Sequence, residues 1–295
     1  MPTEHWRIGD VSITKVVERE LSIPVQILTQ MMPSASLAQI EELRWLEPHY
    51  VHNDLTNVGY YSFLIETPVA KIVVDTGVGN AKSRTYDDFN RLETDYDANF
   101  RAVWDPDRVD LVVSTHLHVD HVGWNTWLVG GEWIPRFDRA DYCFVEQEYR
   151  HWKRFADDND PVNATLDVVA VFEDSVRPID AAGLARFVAS DTALTPEVRL
   201  LPSHGHTPGH VSVVVESRSE RAVITGDLMH SPCQIGHPEW SSVYDTDPDA
   251  SAVTRRAFLE RFADTGTLVI GTHFGTPTGV TVNRDGPRFR LTPVG

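Results

Sequence analysis

Residues 114–124 read STHLHVDHVGW, which places His116, His118, Asp120 and His121 within six consecutive positions. Imidazole nitrogen and carboxylate oxygen are the donors that borderline dications such as zinc accept. In an extended segment His116, His118 and Asp120 share one side by alternation, and His121 lies on the other. A bend after Val119 splits the four donors naturally, two for one ion and two for its neighbour. Two metals about 3.5 Å apart, the spacing of dinuclear hydrolytic sites, would account for the crowding better than histidines that merely cap or decorate a surface.

Donors of the same kind recur down the chain. SHGHTPGH at residues 203–210 supplies His204, His206 and His210, although a Gly- and Pro-punctuated turn would explain that segment taken alone. Asp75, Asp227 and His273 each close an apolar run. Ligand-type groups at five strand ends converge on one rim, where α/β sheets place their ligands. Packing alone gives no reason for this repetition.

The elements that would carry these ends follow from hydrophobic periodicity. VSITKVVE near the start alternates apolar and polar residues, and GYYSFLIET (59–67) and AKIVVDTG (70–77) read as paired strands. DPDRVDLVVSTH (105–116) supplies a turn and a strand buried on both faces. VRLLPS (198–203), HVSVVVES (210–217), RAVITGD (221–227) and TLVIGTH (267–273) are further strands. Helices are expected at 145–158, 163–176 and 247–266, and 86–104 is helix-compatible. Ser36 and Gln39 offer a capping box for one short helix ended by Pro48.

With 295 residues and 41% hydrophobic content, one large domain with a real core is expected. A net charge of -17 opposes nucleic acid and anionic membranes as partners. The N-terminal residues lack a basic segment followed by an apolar stretch, and no run of eighteen apolar residues occurs, so a cytoplasmic protein is expected. Cys143 and Cys233 are isolated, fit neither a disulfide framework nor a CxxC metal site, and read as small buried hydrophobes.

HLHVDH, GHTPGH, TGD and GTH, in this order from about residue 60 onward, resemble the metallo-β-lactamase superfamily. Within it, THLHVDHVGWN and GDLMHSP are most similar to the branch of acyl-homoserine lactonases, pyridoxolactonase and methyl parathion hydrolase. The resemblance implies an α/β fold, the αββα four-layer sandwich of two mixed sheets flanked by helices. It implies a single domain over 1–295, with a helical insertion near 33–48 that would cover the site or join a homodimer. By the same resemblance His116, His118 and His206 would hold one metal, Asp120, His121 and His273 the other, and Asp227 would bridge them. Asp75 would orient a ligand histidine from behind. Two divalent cations are expected, zinc first, with manganese, cobalt or iron as alternatives.

The expected activity is hydrolysis of a lactone or other small carboxylic ester by a bridging hydroxide, with Asp120, Asp227 and His230 as catalytic residues. Two dications with two carboxylates and a hydroxide leave a net charge of about +1, which suits an anionic transition state. His230 stands where some lactonases carry a tyrosine against the substrate carbonyl, and is a candidate proton donor. Organophosphate triester hydrolysis and a hydroxyacylglutathione-type thioesterase use the same ligands. A zinc β-lactamase would favour cysteine at Asp227, a nuclease would want a basic surface, and a non-catalytic metal-binding protein would not need every ligand. Trp124, Trp127 and Trp133 are candidates for an apolar pocket wall, and the Ser36 helix and a helix through residues 144–155 for covers. His210 is expected to hydrogen-bond within its own loop, and His5, His49, His52, His151 and His237 to be surface or structural.

Overall fold

The computed structural model describes residues 4–158 and 167–294. Its strands are β1 (His5–Ile8), β2 (Val11–Pro24), β3 (Val51–His52), β4 (Leu55–Glu66), β5 (Lys71–Val74), β6 (Leu111–Val113), β7 (Thr126–Val129), β8 (Glu132–Pro135), β9 (Asp141–Val145) and β10 (Ala185–Val188). They continue with β11 (Val198–Pro202), β12 (Val211–Ser217), β13 (Glu220–Ile224), β14 (Leu268–Ile270), β15 (Gly279–Asp285) and β16 (Arg288–Pro293). One mixed sheet runs β1-β2-β4-β5-β6-β9-β10, with β3 on β4, and a second runs β11 to β16 in order. Within them β5, β6, β9 and β10 are parallel neighbours, as are β13 and β14.

Alternation along the short apolar strands builds four layers. Ile72, Val74, Leu111 and Val113 of the first sheet meet Val213, Val215, Ala222, Ile224, Leu268 and Ile270 of the second in one buried cluster between the sheets. The intervening residues point outward. Val73, Val112, Tyr142 and Phe144 pack under helices Tyr96–Arg101 and Glu146–Asp157, while Val214, Val223 and Val269 pack under Pro248–Phe262. Burial on both faces is why these strands read as continuous apolar runs.

The details depart from the sequence expectations in several places. Residues 86–104 are helical only at Asp87–Phe89 and Tyr96–Arg101, because their polar pattern offers little to bury. The expected helix at 163–176 is broken up: Val168–Val171 is α-helical, Phe172–Val176 takes a wider π turn, and a new helical stretch, Arg177–Ala181, follows with Pro178 in its first turn. The part of that expectation at residues 163–166 lies outside the described residues. Ser36 caps Leu37–Glu42, accepting the Gln39 N–H at 3.4 Å, but the helix stops at Leu43 and a separate 3-10 turn covers Arg44–Leu46. Ile40, Leu43 and Leu46 pack into the core outside the second sheet. Strands β15 and β16 extend that sheet beyond the last strand expected.

Candidate metal centre

Every expected ligand leaves the end of a strand on one edge of the sandwich. His116, His118, Asp120 and His121 follow β6, His206 follows β11, Asp227 follows β13 and His273 follows β14. All are buried except Asp120, which is half-buried.

Their donor atoms form two groups. His206 Nε2 lies 3.2 Å from His116 Nε2, 2.9 Å from His118 Nδ1 and 3.5 Å from Asp227 Oδ2. The other carboxylate oxygen, Asp227 Oδ1, lies 3.2 Å from His121 Nε2 and 3.0 Å from His273 Nε2. Asp120 closes this second group, Oδ1 at 3.6 Å from His121 Nε2 and Oδ2 at 3.5 Å from His273 Nε2. Donors about 2.0–2.1 Å from a tetrahedral dication stand about 3.3 Å from one another, so both groups have the edge length of a coordination shell. Asp227 joins them with one oxygen in each.

Hydrogen bonds behind the rings fix which nitrogen faces inward. Nδ1 of His121 donates to Asp75 Oδ2 at 2.9 Å, of His206 to Asp245 Oδ1 at 2.9 Å, of His273 to the Gly59 carbonyl at 2.8 Å, and of His116 to Thr115 Oγ1 at 3.1 Å. Thr115 in turn donates its hydroxyl to Asp75, so Asp75 steadies two rings. With Nδ1–H committed outward, the Nε2 lone pairs converge. Buried His121 Nε2 and Asp227 Oδ1 make no hydrogen bond despite their 3.2 Å approach, an arrangement a shared cation satisfies.

The electrostatics separate the two groups. Burial, then repulsion among the imidazoles, holds His116 and His118 well below the ordinary histidine range, and burial lowers His206. Burial also pulls on His121 and His273, but the facing carboxylates of Asp227 and Asp120 outweigh it, raising His121 and pushing His273 up to about 9. A cation held at this second group would take the place of those protons.

Sequence reasoning missed two supports. Asp245 holds His206 and also accepts the Ser242 N–H at 2.9 Å; no motif or spacing announces it. His210 reaches beyond its own loop: Nδ1 donates to the Ser203 carbonyl at 2.9 Å, as expected, while Nε2 accepts the Asp227 N–H at 2.8 Å. Burial pushes His210 down to about 3, so the neutral ring needed for that acceptance is the stable form. His230 is buried, its ring nitrogens have no hydrogen-bond partner among the described residues, and Nε2 lies 3.4 Å from Asp227 Oδ2.

The two donor groups floor a cavity whose walls come from other places than expected. Leu21 and Ile23 of β2, Ile27 and Met31 of the short helix Ile27–Met31, and Val58, Tyr60 and Phe89 supply its apolar faces. Tyr86, Tyr244, Asp88 and Asp167 add polar groups. The three tryptophans line none of it: Trp124 is stacked on Tyr96 in the core and donates to Glu18, Trp133 lies under Lys82, and Trp127 packs on Arg136. Neither the Leu37–Glu42 helix nor Glu146–Asp157 reaches the cavity wall. His5, His49 and His52 are exposed, whereas His237 is buried and stacked on Trp240.

Four parallel strand pairs, a face-to-face sandwich and a carboxylate shared between two donor groups define a class, and the family comparison agrees. Residues 55–286 match the model of the metallo-beta-lactamase superfamily, and the chain belongs to that superfamily. An N-acyl homoserine lactonase of a Bacillus species is 24% identical over 184 residues, covering 58% of this chain and 64% of the relative. The N-acyl homoserine lactonase AiiA of Bacillus thuringiensis subsp. kurstaki is also 24% identical, over 183 residues and 63% of its length. The chain thus matches less than two thirds of the length of these relatives. Among solved structures, hydrolase AbOPH of the beta lactamase superfamily superposes with a TM-score of 0.82 at 22% identity, covering 99% of this chain and 97% of that one. AidC, a dizinc quorum-quenching lactonase in complex with a product, gives 0.77 at 20% identity with the same coverage. Among the described residues no helix is long and apolar enough to cross a membrane.

Proposed function

We propose that this chain is a dinuclear metal-dependent hydrolase of lactones or other neutral carboxylic esters with an apolar body. The observation that carries the reading is the division of Asp227, one oxygen facing His116 and His206, the other facing His121 and His273, at the floor of an apolar-walled cavity. His116, His118 and His206 would hold one ion and Asp120, His121 and His273 the other, with Asp227 between them. Zinc is the first candidate for both ions, and manganese, cobalt and iron accept similar donors. Two such ions, when bound, polarise the scissile carbonyl and acidify water to near neutrality.

The chain's own residues do the rest. Asp120 and Asp227 would supply the carboxylates that help to hold the two ions and offset part of their charge. Leu21, Ile23, Ile27 and Met31 bind the apolar body and exclude water. His230, with free ring nitrogens beside Asp227, delivers a proton from Nε2 to the leaving alkoxide oxygen. A lactone would open to a hydroxy acid, with one water consumed.

Charge separates this reading from the thioesterase. Asp88 and Asp167 line the cavity beside the candidate metal ligands and, among the described residues, no lysine or arginine does. A glutathione thioester carries carboxylates for which such a lining offers no basic side chain. Neutral phosphotriesters meet no such objection and form the competing substrate class. The similarity to N-acyl homoserine lactonases supports the lactone side.

The test is a panel on metal-loaded protein: an N-acyl homoserine lactone, an aryl ester, a phosphotriester and an S-acyl glutathione, with metal content by elemental analysis. About two metals per chain and fastest turnover of the lactone or ester are expected. Protein that takes up no metal and hydrolyses nothing would overturn the assignment, and fastest turnover of the phosphotriester would replace its substrate class.

A further inference from the structure

Glu148, in the first turn of helix Glu146–Asp157, is buried to 1% exposure and faces neither solvent nor the cavity. Its Oε1 accepts the Leu117 N–H at 3.2 Å and the Trp152 indole N–H at 2.6 Å. Its Oε2 accepts the Gly209 N–H at 2.8 Å. Leu117 stands between His116 and His118, and Gly209 stands three residues after His206. One carboxylate therefore ties together the two loops that carry a single group of donors.

The packing around it serves the same end. A Cβ at Gly209 would come within 2.5 Å of the backbone nitrogen and Cβ of Glu148, so the 203–210 loop lies directly on the helix. Trp152, held by Glu148, sets its ring edge-on against His118 at 5.2 Å between centroids. No cation pairs with this carboxylate among the described residues; burial raises its pKa, and only hydrogen-bond donors oppose that. A buried, unpaired carboxylate is a poor choice for stability, because an apolar side chain of similar volume is often as stable or more so. Its three donors instead point to a role in geometry.

We infer that Glu148 is a positioning residue for the metal held by His116, His118 and His206, clamping the loops on which those ligands stand. The inference rests on the dinuclear reading above. In Glu148→Gln the volume is kept, but the carboxamide nitrogen confronts an N–H on one of the two loops and one tie is lost. Partners behind metal ligands typically change affinity by about 10–100-fold.

The experiment is equilibrium dialysis of the full chain against Co2+, with the visible spectrum of bound Co2+ recorded alongside. Wild type should retain two equivalents. Glu148→Gln should bind one of them 10- to 100-fold more weakly, with an altered spectrum, and hold the other as before. In a His206→Ala background, where that position is already crippled, Glu148→Gln should add nothing. Trp152→Phe, which removes one donor while keeping the ring packing, should shift the same equivalent by a smaller factor, and it carries the test alone if Glu148→Gln does not fold. Wild type with two equivalents and variants indistinguishable from it, or a variant that weakens both equivalents alike, overturns the role of Glu148. A wild type that binds no Co2+ overturns the dinuclear reading instead.

Discussion

Gly226 places Asp227, and replacing it separates steric from conformational cost. It sits at φ +56, and an added Cβ would lie 2.6 Å from His210 Nε2 and 3.0 Å from Thr115 Cβ. Gly226→Ala first meets the left-handed penalty of an L-residue, about 1 kcal/mol. The methyl then has to displace His210 or the turn itself, breaking the 2.8 Å hydrogen bond from Asp227 N–H to His210 Nε2. Two buried polar groups left without partners add about 2–3 kcal/mol. The total is about 3–4 kcal/mol, or a fall in Tm of about 10 °C at roughly 2–4 °C per kcal/mol for a chain of this size.

Gly266 supplies the control. It is exposed beyond helix Pro248–Phe262, at φ +72, and an added Cβ meets nothing within 4 Å. Gly266→Ala should cost only the conformational term, about 1 kcal/mol, and leave metal content unchanged. Differential scanning calorimetry and elemental analysis of the two variants make the comparison. Gly226→Ala should also lose metal, because a displaced Asp227 no longer reaches both donor groups. Equal melting temperatures and full metal content in both variants would refute the claim that this turn sets the bridge.

Two other perturbations test different supports. Asp245→Asn keeps the size but replaces the carboxylate that orients His206, and should weaken one metal equivalent by about 10–100-fold in competition with a chelator; unchanged affinity would show that Asp245 only packs. Glu18, which accepts N–H bonds from Val78, Gly79 and Trp124, is pushed by burial up to about 7 from an ordinary 4.5. A raised carboxyl pKa favours the fold fully below 4.5, and this contribution is lost as pH rises through about 7. At about 1.4 kcal/mol per pH unit, wild type should lose about 3 kcal/mol more than Glu18→Gln between pH 4.5 and pH 8 in urea denaturation, and parallel pH profiles would refute the assignment.

The strands were legible because both faces of β5, β6, β13 and β14 are buried, leaving unbroken apolar runs that stop at polar residues. The cavity was not legible for a related reason. Leu21, Ile23, Ile27 and Met31 look in sequence like ordinary core residues, and only the tertiary path of β2 and the helix after it turns them toward the candidate metal centre. The tryptophans misled in the opposite sense. WLVGGEWI carries a Gly-Gly turn between apolar runs, a hairpin signal, and β7 and β8 form that hairpin away from the site, with Trp127 and Trp133 held by Arg136 and Lys82.

Ligands and their supports differ in how much chemistry constrains them. A borderline dication selects imidazole or carboxylate and demands several of them within one coordination radius, so the donors repeat in type and fall at strand ends where a short motif exposes them. An Nδ1–H asks only for one acceptor near 2.9 Å. In this fold four such groups find three kinds of acceptor: the carboxylates of Asp75 and Asp245, the hydroxyl of Thr115 and the carbonyl of Gly59. Because any of these satisfies the same need, no residue type or spacing is required, and a support as distant as Asp245 from His206 leaves no pattern in the chain. A carbonyl also has no side chain to replace, so the orientation of His273 is tied to the path of β4 itself, and only a change in that strand's backbone would release it.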